Sequence, residues 1–118
     1  MVVNKIDKDL VFDLTKEDLS RTVQTLTMVE RIIKEEGAMR IVANLETIES
    51  IYSLQIGTLV AMHVLCYENI AVMKLANVNE HVKNQLRLVG LDQIMEIHHG
   101  ISAALESFGA KPAYEGKS

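Results

Sequence analysis

A chain of 118 residues, 48% hydrophobic and 24% charged, has room for one domain with a single modest core and is too apolar for a disordered segment. Its formal charge of −4, without a lysine or arginine cluster, argues against nucleic acid as the main partner, and its single cysteine, Cys66, excludes an internal disulfide and fits a reducing compartment. No apolar stretch approaches the roughly 20 residues of a membrane span, and charges interrupt the N-terminus where a secretory signal needs its apolar segment, so a cytoplasmic protein with no membrane partner is expected.

DLVFDL (9–14) alternates apolar and polar residues as a half-buried strand does, and VVNKI before it reads as a preceding edge strand. From Leu19 the period changes: Leu19, Val23, Leu26, Val29 and Ile33 recur on one face of a helix that Thr15 or Asp18 can cap and Gly37 can end. MRIVANL (39–45) and IAVMKLA (70–76) are short apolar runs without helical length, which predicts strands buried on both faces. The helical stretch starting near Ser53 lies between them, so strand, helix and strand form a right-handed crossover of a largely parallel sheet.

Asn77 with Glu80 three residues on reads as a capping box for a helix carrying Val78, Val82, Leu86 and Val89, with a stop at Gly90. QIMEI (93–97) predicts a last short strand, and Ile101, Ala104, Leu105 and Phe108 a final amphipathic helix ending at Gly109. The expected architecture is α/β: a single domain over 1–109, with a central four- to five-stranded, mostly parallel sheet packed with about four helices. The tail 110–118, with the only proline, is expected to be frayed.

On a period of 3.6 residues, Ile56, Leu59, Val60, His63 and Tyr67 point one way from the helix after Ser53, toward the sheet, and Leu54, Thr58, Ala61 and Leu65 the other, with Met62 at that second face's edge. A helix apolar on both sides is enclosed by its own domain or presents a face to another protein, and a homodimer is one way to cover it. Ser53 itself reads as a helix N-cap whose loss costs about 1 kcal/mol. Neither a Gly-x-Ser-x-Gly elbow nor a glycine-rich phosphate loop occurs, so no enzyme and no cofactor are expected. The adjacent His98 and His99 lack the spaced carboxylate or cysteine that would complete a metal site, and no metal is expected.

The order of elements, with FDLTKEDLSRTVQTL (12–26), RIVANLETIESI (40–51) and above all RLVGLDQIMEI (87–97), resembles the STAS domain of bacterial anti-sigma factor antagonists from about Leu10 to Leu105. The family's switch loop reads apolar, Asp, Ser, Ser or Thr, Gly, Leu, Gly. Here Ile51, Tyr52, Ser53, Leu54, Gln55, Ile56 and Gly57 stand in that register: Ser53 matches the phosphate acceptor, Tyr52 replaces the acid, Leu54 the second hydroxyl and Gln55 the first glycine. Asn44 stands where an aspartate is common.

The resemblance implies a bacterial signalling protein that binds a partner such as an anti-sigma serine kinase and is released by phosphorylation at Ser53. A phosphate there adds roughly −1.5 to −2 charge at the positive end of a helix. It implies a partner surface beside the switch loop, drawn from Tyr52, Leu54, Gln55, Thr58, Ala61, Met62 and Leu65, with Asp18 of the first loop close by. The alternative is a non-phosphorylated STAS scaffold subunit of a larger regulatory or sensory complex, which Tyr52 and Gln55 favour.

Overall fold

A left-handed residue closes the first hairpin: Asp7, at φ 56°, turns the chain between β1 (Val2–Ile6) and β2 (Asp9–Asp13). The computed structural model describes residues 1–109; the tail expected to fray lies outside them. From β2 the chain runs through α1 (Lys16–Ser20), α2 (Thr22–Glu36), β3 (Arg40–Asn44), α3 (Ser53–Glu68), β4 (Val72–Ala76), α4 (Glu80–Leu88), a 3₁₀ turn (Leu91–Gln93), β5 (Ile97–His98) and α5 (Ile101–Gly109). The five strands lie in the order β1-β2-β3-β4-β5, with β1 antiparallel to β2 and every other pair parallel. This is the expected α/β sheet, with β1 as its antiparallel edge.

Both faces of the central strands are covered, which is why they read as continuous apolar runs. Leu10 and Phe12, Ile41 and Ala43, and Met73 and Leu75 face the main core, with Leu19, Val29, Ile33, Leu59, Met62 and Leu86 of the helices. Val11, Val42 and Ala76 point to the opposite face, where Ala104, Ile101, Leu105 and Phe108 of α5 cover them. Lys74 is buried on that same face, its Nζ 3.1 Å from Glu96, 2.7 Å from the Ser107 hydroxyl and 4.3 Å from the centre of the Phe108 ring.

Four local expectations need correction. The helix predicted to run unbroken from Leu19 to Ile33 splits at Arg21, whose non-helical backbone (φ −111°, ψ 69°) closes a short α1 begun by the Thr15–Asp18 capping box and opens α2. The break shifts the helical phase, so Val23 is 74% exposed and Thr25 takes an inward position, its hydroxyl donating to the Asp18 carbonyl. Asn77 does not cap α4: it adopts φ 58°, and Asn79 is the N-cap, its side chain accepting the Val82 N–H at 2.7 Å.

Val82 and Leu86 face inward as expected, but Val89 is the C-cap beyond the last helical residue and is exposed. Of the strand expected over 93–97, Gln93 ends a 3₁₀ turn (Leu91–Gln93) that buries Leu91, residues 94–96 form a turn that buries Met95, and only Ile97, with His98, pairs with β4. β4 begins at Val72, two residues later than the apolar run, because Ile70 is 82% exposed in a left-handed conformation at φ 57°.

Candidate partner-binding site

α3 follows β3 at the carboxyl end of the parallel strands, where loops of α/β sheets carry functional groups. The loop leading to it is pinned on both flanks. Toward α4, the Ile51 N–H donates to Gln85 Oε1 at 3.0 Å and Gln85 Nε2 donates to the Ile51 carbonyl at 2.6 Å, while Asn79 Nδ2 donates to the Ile48 carbonyl. Ile48 and Ile51 anchor the loop in the core.

Toward α1 and α2, Gln55 Nε2 donates to the Ser20 hydroxyl at 2.8 Å, and the Thr58 hydroxyl donates to the Leu19 carbonyl at 2.6 Å and lies 2.7 Å from the Thr22 hydroxyl. Ser20, Thr22, Asn79 and Gln85 are site-building residues that the sequence reading missed. Their signal is faint: polar residues flanking the apolar faces of α2 and α4, with partners 30 or more positions away.

Ser53 is exposed in the first turn of α3, but it is not the N-cap. That position belongs to Tyr52, whose N–H donates to Gln55 Oε1 at 2.8 Å, so Gln55 supplies the backward-reaching half of a capping box. The Ser53 side chain caps nothing, and its hydroxyl is left at the positive end of a 16-residue helix.

The facing of α3 also differs from the helical-wheel expectation. Gln55, Thr58, Leu59, Met62 and Cys66 are its buried residues; Thr58 and Met62, expected on or beside the outer face, are fully buried, and Tyr67, expected inward, is 77% exposed. The reason is that α3 packs against α1 and α2 as well as the sheet, so its buried arc turns toward those helices. Leu54 and Tyr52 are exposed, while Ala61, Leu65, Ile56, Val60 and His63 are half-buried.

What remains outside is a stripe of Ser53, Leu54, Gly57, Val64 and Tyr67, and no charged residue occurs in α3 before Glu68. The buried Cys66 thiol is pushed up to about 12 by its burial, so it is an inert part of the core. His63 Nδ1 is buried without a hydrogen-bond partner among the described residues.

Asp18 turns its carboxylate to the Thr15 N–H at 2.9 Å and lies 3.5 Å from the Met1 amine, so it builds the start of α1. On that same first turn Lys16 sits with its Nζ 4.6 Å from the centre of the Tyr52 ring. Asn44, at the end of β3, donates to Asp13 at 2.8 Å and accepts from Asn77 at 2.9 Å and from the Glu46 N–H at 3.2 Å, bridging three strands. An amide can do both; an aspartate at 44 would set a second carboxylate against Asp13.

His98 Nε2 lies 2.9 Å from Glu96 Oε1. Among the described residues, no group of three or more His, Cys, Asp or Glu side chains is placed to hold a metal ion, and no helix is long and apolar enough to cross a membrane.

By sequence, no protein-family profile and no curated protein matches this chain. Solved structures do. The Thermotoga maritima protein TM1081, a candidate anti-sigma factor antagonist, is 25% identical in its solution structure, with 92% of this chain and 88% of that one covered at a TM-score of 0.81. A chain from the stressosome, described as a signal integration and transduction hub, is 18% identical over 90% of this chain and 94% of its own at a TM-score of 0.80.

A serine-to-glutamate variant of RsbS from Moorella thermoacetica is 18% identical over 89% of this chain and 93% of its own, at 0.77. These likenesses run through nearly the whole of each chain. The protein therefore has the STAS fold of anti-sigma factor antagonists and stressosome proteins.

Proposed function

We propose that this protein is a cytoplasmic, non-enzymatic signalling regulator that docks a partner protein, such as an anti-sigma serine kinase, on the outer stripe of α3 and is released when that kinase phosphorylates Ser53. The carrying observation is the position of Ser53: an exposed hydroxyl with no structural task, at the head of an uncharged helix face bearing Leu54, Gly57, Val64 and Tyr67. A phosphate at that point brings negative charge to a helix face that carries none before Glu68, while the helix dipole tolerates it. Tyr52 and Leu54 are available to the partner by exposure and the half-buried Ala61 and Leu65 in part; Gln55, Thr58 and Met62 support the face from beneath, and Asp18 acts through the α1 cap.

The test is intact-mass measurement on protein isolated from its own cells, with Ser53→Ala as control. A mass gain of one phosphoryl group that vanishes in Ser53→Ala, with partner binding lost on phosphorylation, is the expected result. Phosphate absent across growth conditions while a partner still copurifies refutes the switch.

A second reading, a constitutive scaffold subunit of a larger sensory complex, is favoured by the bond from the Tyr52 N–H to Gln55, which stiffens the loop where the family pattern has glycine. It predicts partner binding that ATP and a kinase leave unchanged.

A further inference from the structure

Among the described lysines and arginines without an ion pair, Lys16 is the one that rests on an aromatic ring. Arg21 pairs with Glu17 at 3.1 Å, and Asp18 is held by the Thr15 cap, so the two acids of α1 already have partners. No ion pair holds Lys16 among the described residues; its ammonium lies over the ring of Tyr52, 4.6 Å from the centroid. Tyr52 is 63% exposed and immediately precedes Ser53.

A cation resting on an exposed aromatic face is held weakly, and a lysine ammonium on its flexible four-carbon stem moves to a better anion at little cost. A phosphoryl group on the next residue is such an anion, with about two negative charges and three acceptor oxygens near neutral pH.

We infer that Lys16 is the counter-ion of a phosphorylated Ser53, leaving the Tyr52 ring for the phosphate when the hydroxyl is modified. The inference rests on the Ser53 switch and extends it in two ways. The modification is read by α1 as well as α3, because Lys16 belongs to α1. It also changes the docking surface twice, adding charge at Ser53 and uncovering the Tyr52 ring beside it. Lys16 acts here as a positioning residue, so a loss of partner binding in its variants would not by itself distinguish this role from a direct contact.

The experiment installs phosphoserine at position 53 of the full chain during synthesis, so it does not depend on any kinase. The second ionisation of the phosphate is followed by phosphorus NMR in the otherwise native protein, in Lys16→Ala, in Lys16→Arg and in Lys83→Ala as a remote control. With Lys16 present, the phosphate should lose its second proton about half a pH unit lower than in Lys16→Ala. Lys16→Arg should restore the lower value and Lys83→Ala should keep it.

In the unmodified protein the Lys16 ε-methylene protons should show an upfield ring shift that disappears on phosphorylation. Equal phosphate titrations in the native sequence and Lys16→Ala overturn the pairing, and a ring shift that survives phosphorylation overturns the transfer. Failure to find phosphate in cells refutes the Ser53 switch alone, since these titrations use phosphate already in place.

Discussion

Thr58→Val tests the reasoning about what holds the head of α3. Thr58 is fully buried, and its hydroxyl donates to the Leu19 carbonyl at 2.6 Å while lying 2.7 Å from the hydroxyl of Thr22. The Leu19 carbonyl belongs to the last turn of α1, where no helical N–H follows to meet it. Valine has the same shape, so the substitution leaves no cavity and isolates the polar loss.

An unpaired buried carbonyl costs about 1–3 kcal/mol, and the added methyl returns up to about 0.8 kcal/mol. The net destabilisation is then about 0.2–2.2 kcal/mol, or up to roughly 10 °C in Tm for a domain of this size. Urea unfolding followed by circular dichroism measures it, with an unchanged m-value marking a pure stability effect. Ser53→Ala in the same assay should stay within about 0.5 kcal/mol of the parent, since that hydroxyl caps nothing. A Thr58→Val protein as stable as the parent, or a Ser53→Ala protein less stable than Thr58→Val, would refute this assignment.

Three other outcomes follow from the same geometry. Val64→Asp or Tyr67→Glu, on the exposed stripe of α3, should lower partner affinity at least tenfold while moving Tm by only a few degrees; pull-down with unchanged melting checks it, and retained affinity removes the stripe from the docking surface. The Cys66 thiol, buried and pushed up to about 12, should resist a thiol reagent in the native protein and react at the rate of unfolding in urea; rapid native labelling would contradict its burial.

Hydrogen bonds from His98 and Lys74 lower the Glu96 carboxyl below its ordinary value of 4.5. A depressed carboxyl contributes stability above its unfolded pKa and loses it as pH falls through the folded one. The contribution of Glu96 should therefore be complete at neutral pH and fade below 4.5. Glu96→Gln should flatten that part of an acid-unfolding curve, and unchanged acid sensitivity would show the pairing to be inconsequential.

Hydrophobic period and local punctuation determined much of this protein by themselves. The strands at 9–13, 40–44 and 72–76, the helix from Ser53, the left-handed stop at Gly37 and the amphipathic last helix are all legible because each is specified by neighbours within a turn or two. The strings at 12–26, 40–51 and above all 87–97, with the order of elements, also carried the STAS resemblance that the solved structures bear out as a fold.

Tertiary structure decided which side of each helix faces inward and which hydroxyl is free. α3 is apolar nearly all round, so its sequence period could not choose between faces; contact with α1 and α2 turned Thr58 and Met62 inward and left Tyr67 and Val64 outside. The local pattern points to Asn77 through its spacing to Glu80, and only the left-handed turn at Asn77 gives the role to Asn79 instead. The cap at Tyr52, made by a buried Gln55 that also reaches Ser20, depends on a contact 35 residues away, beyond what any local pattern records. Burial against distant segments, and not propensity, is what leaves the Ser53 hydroxyl without a structural task.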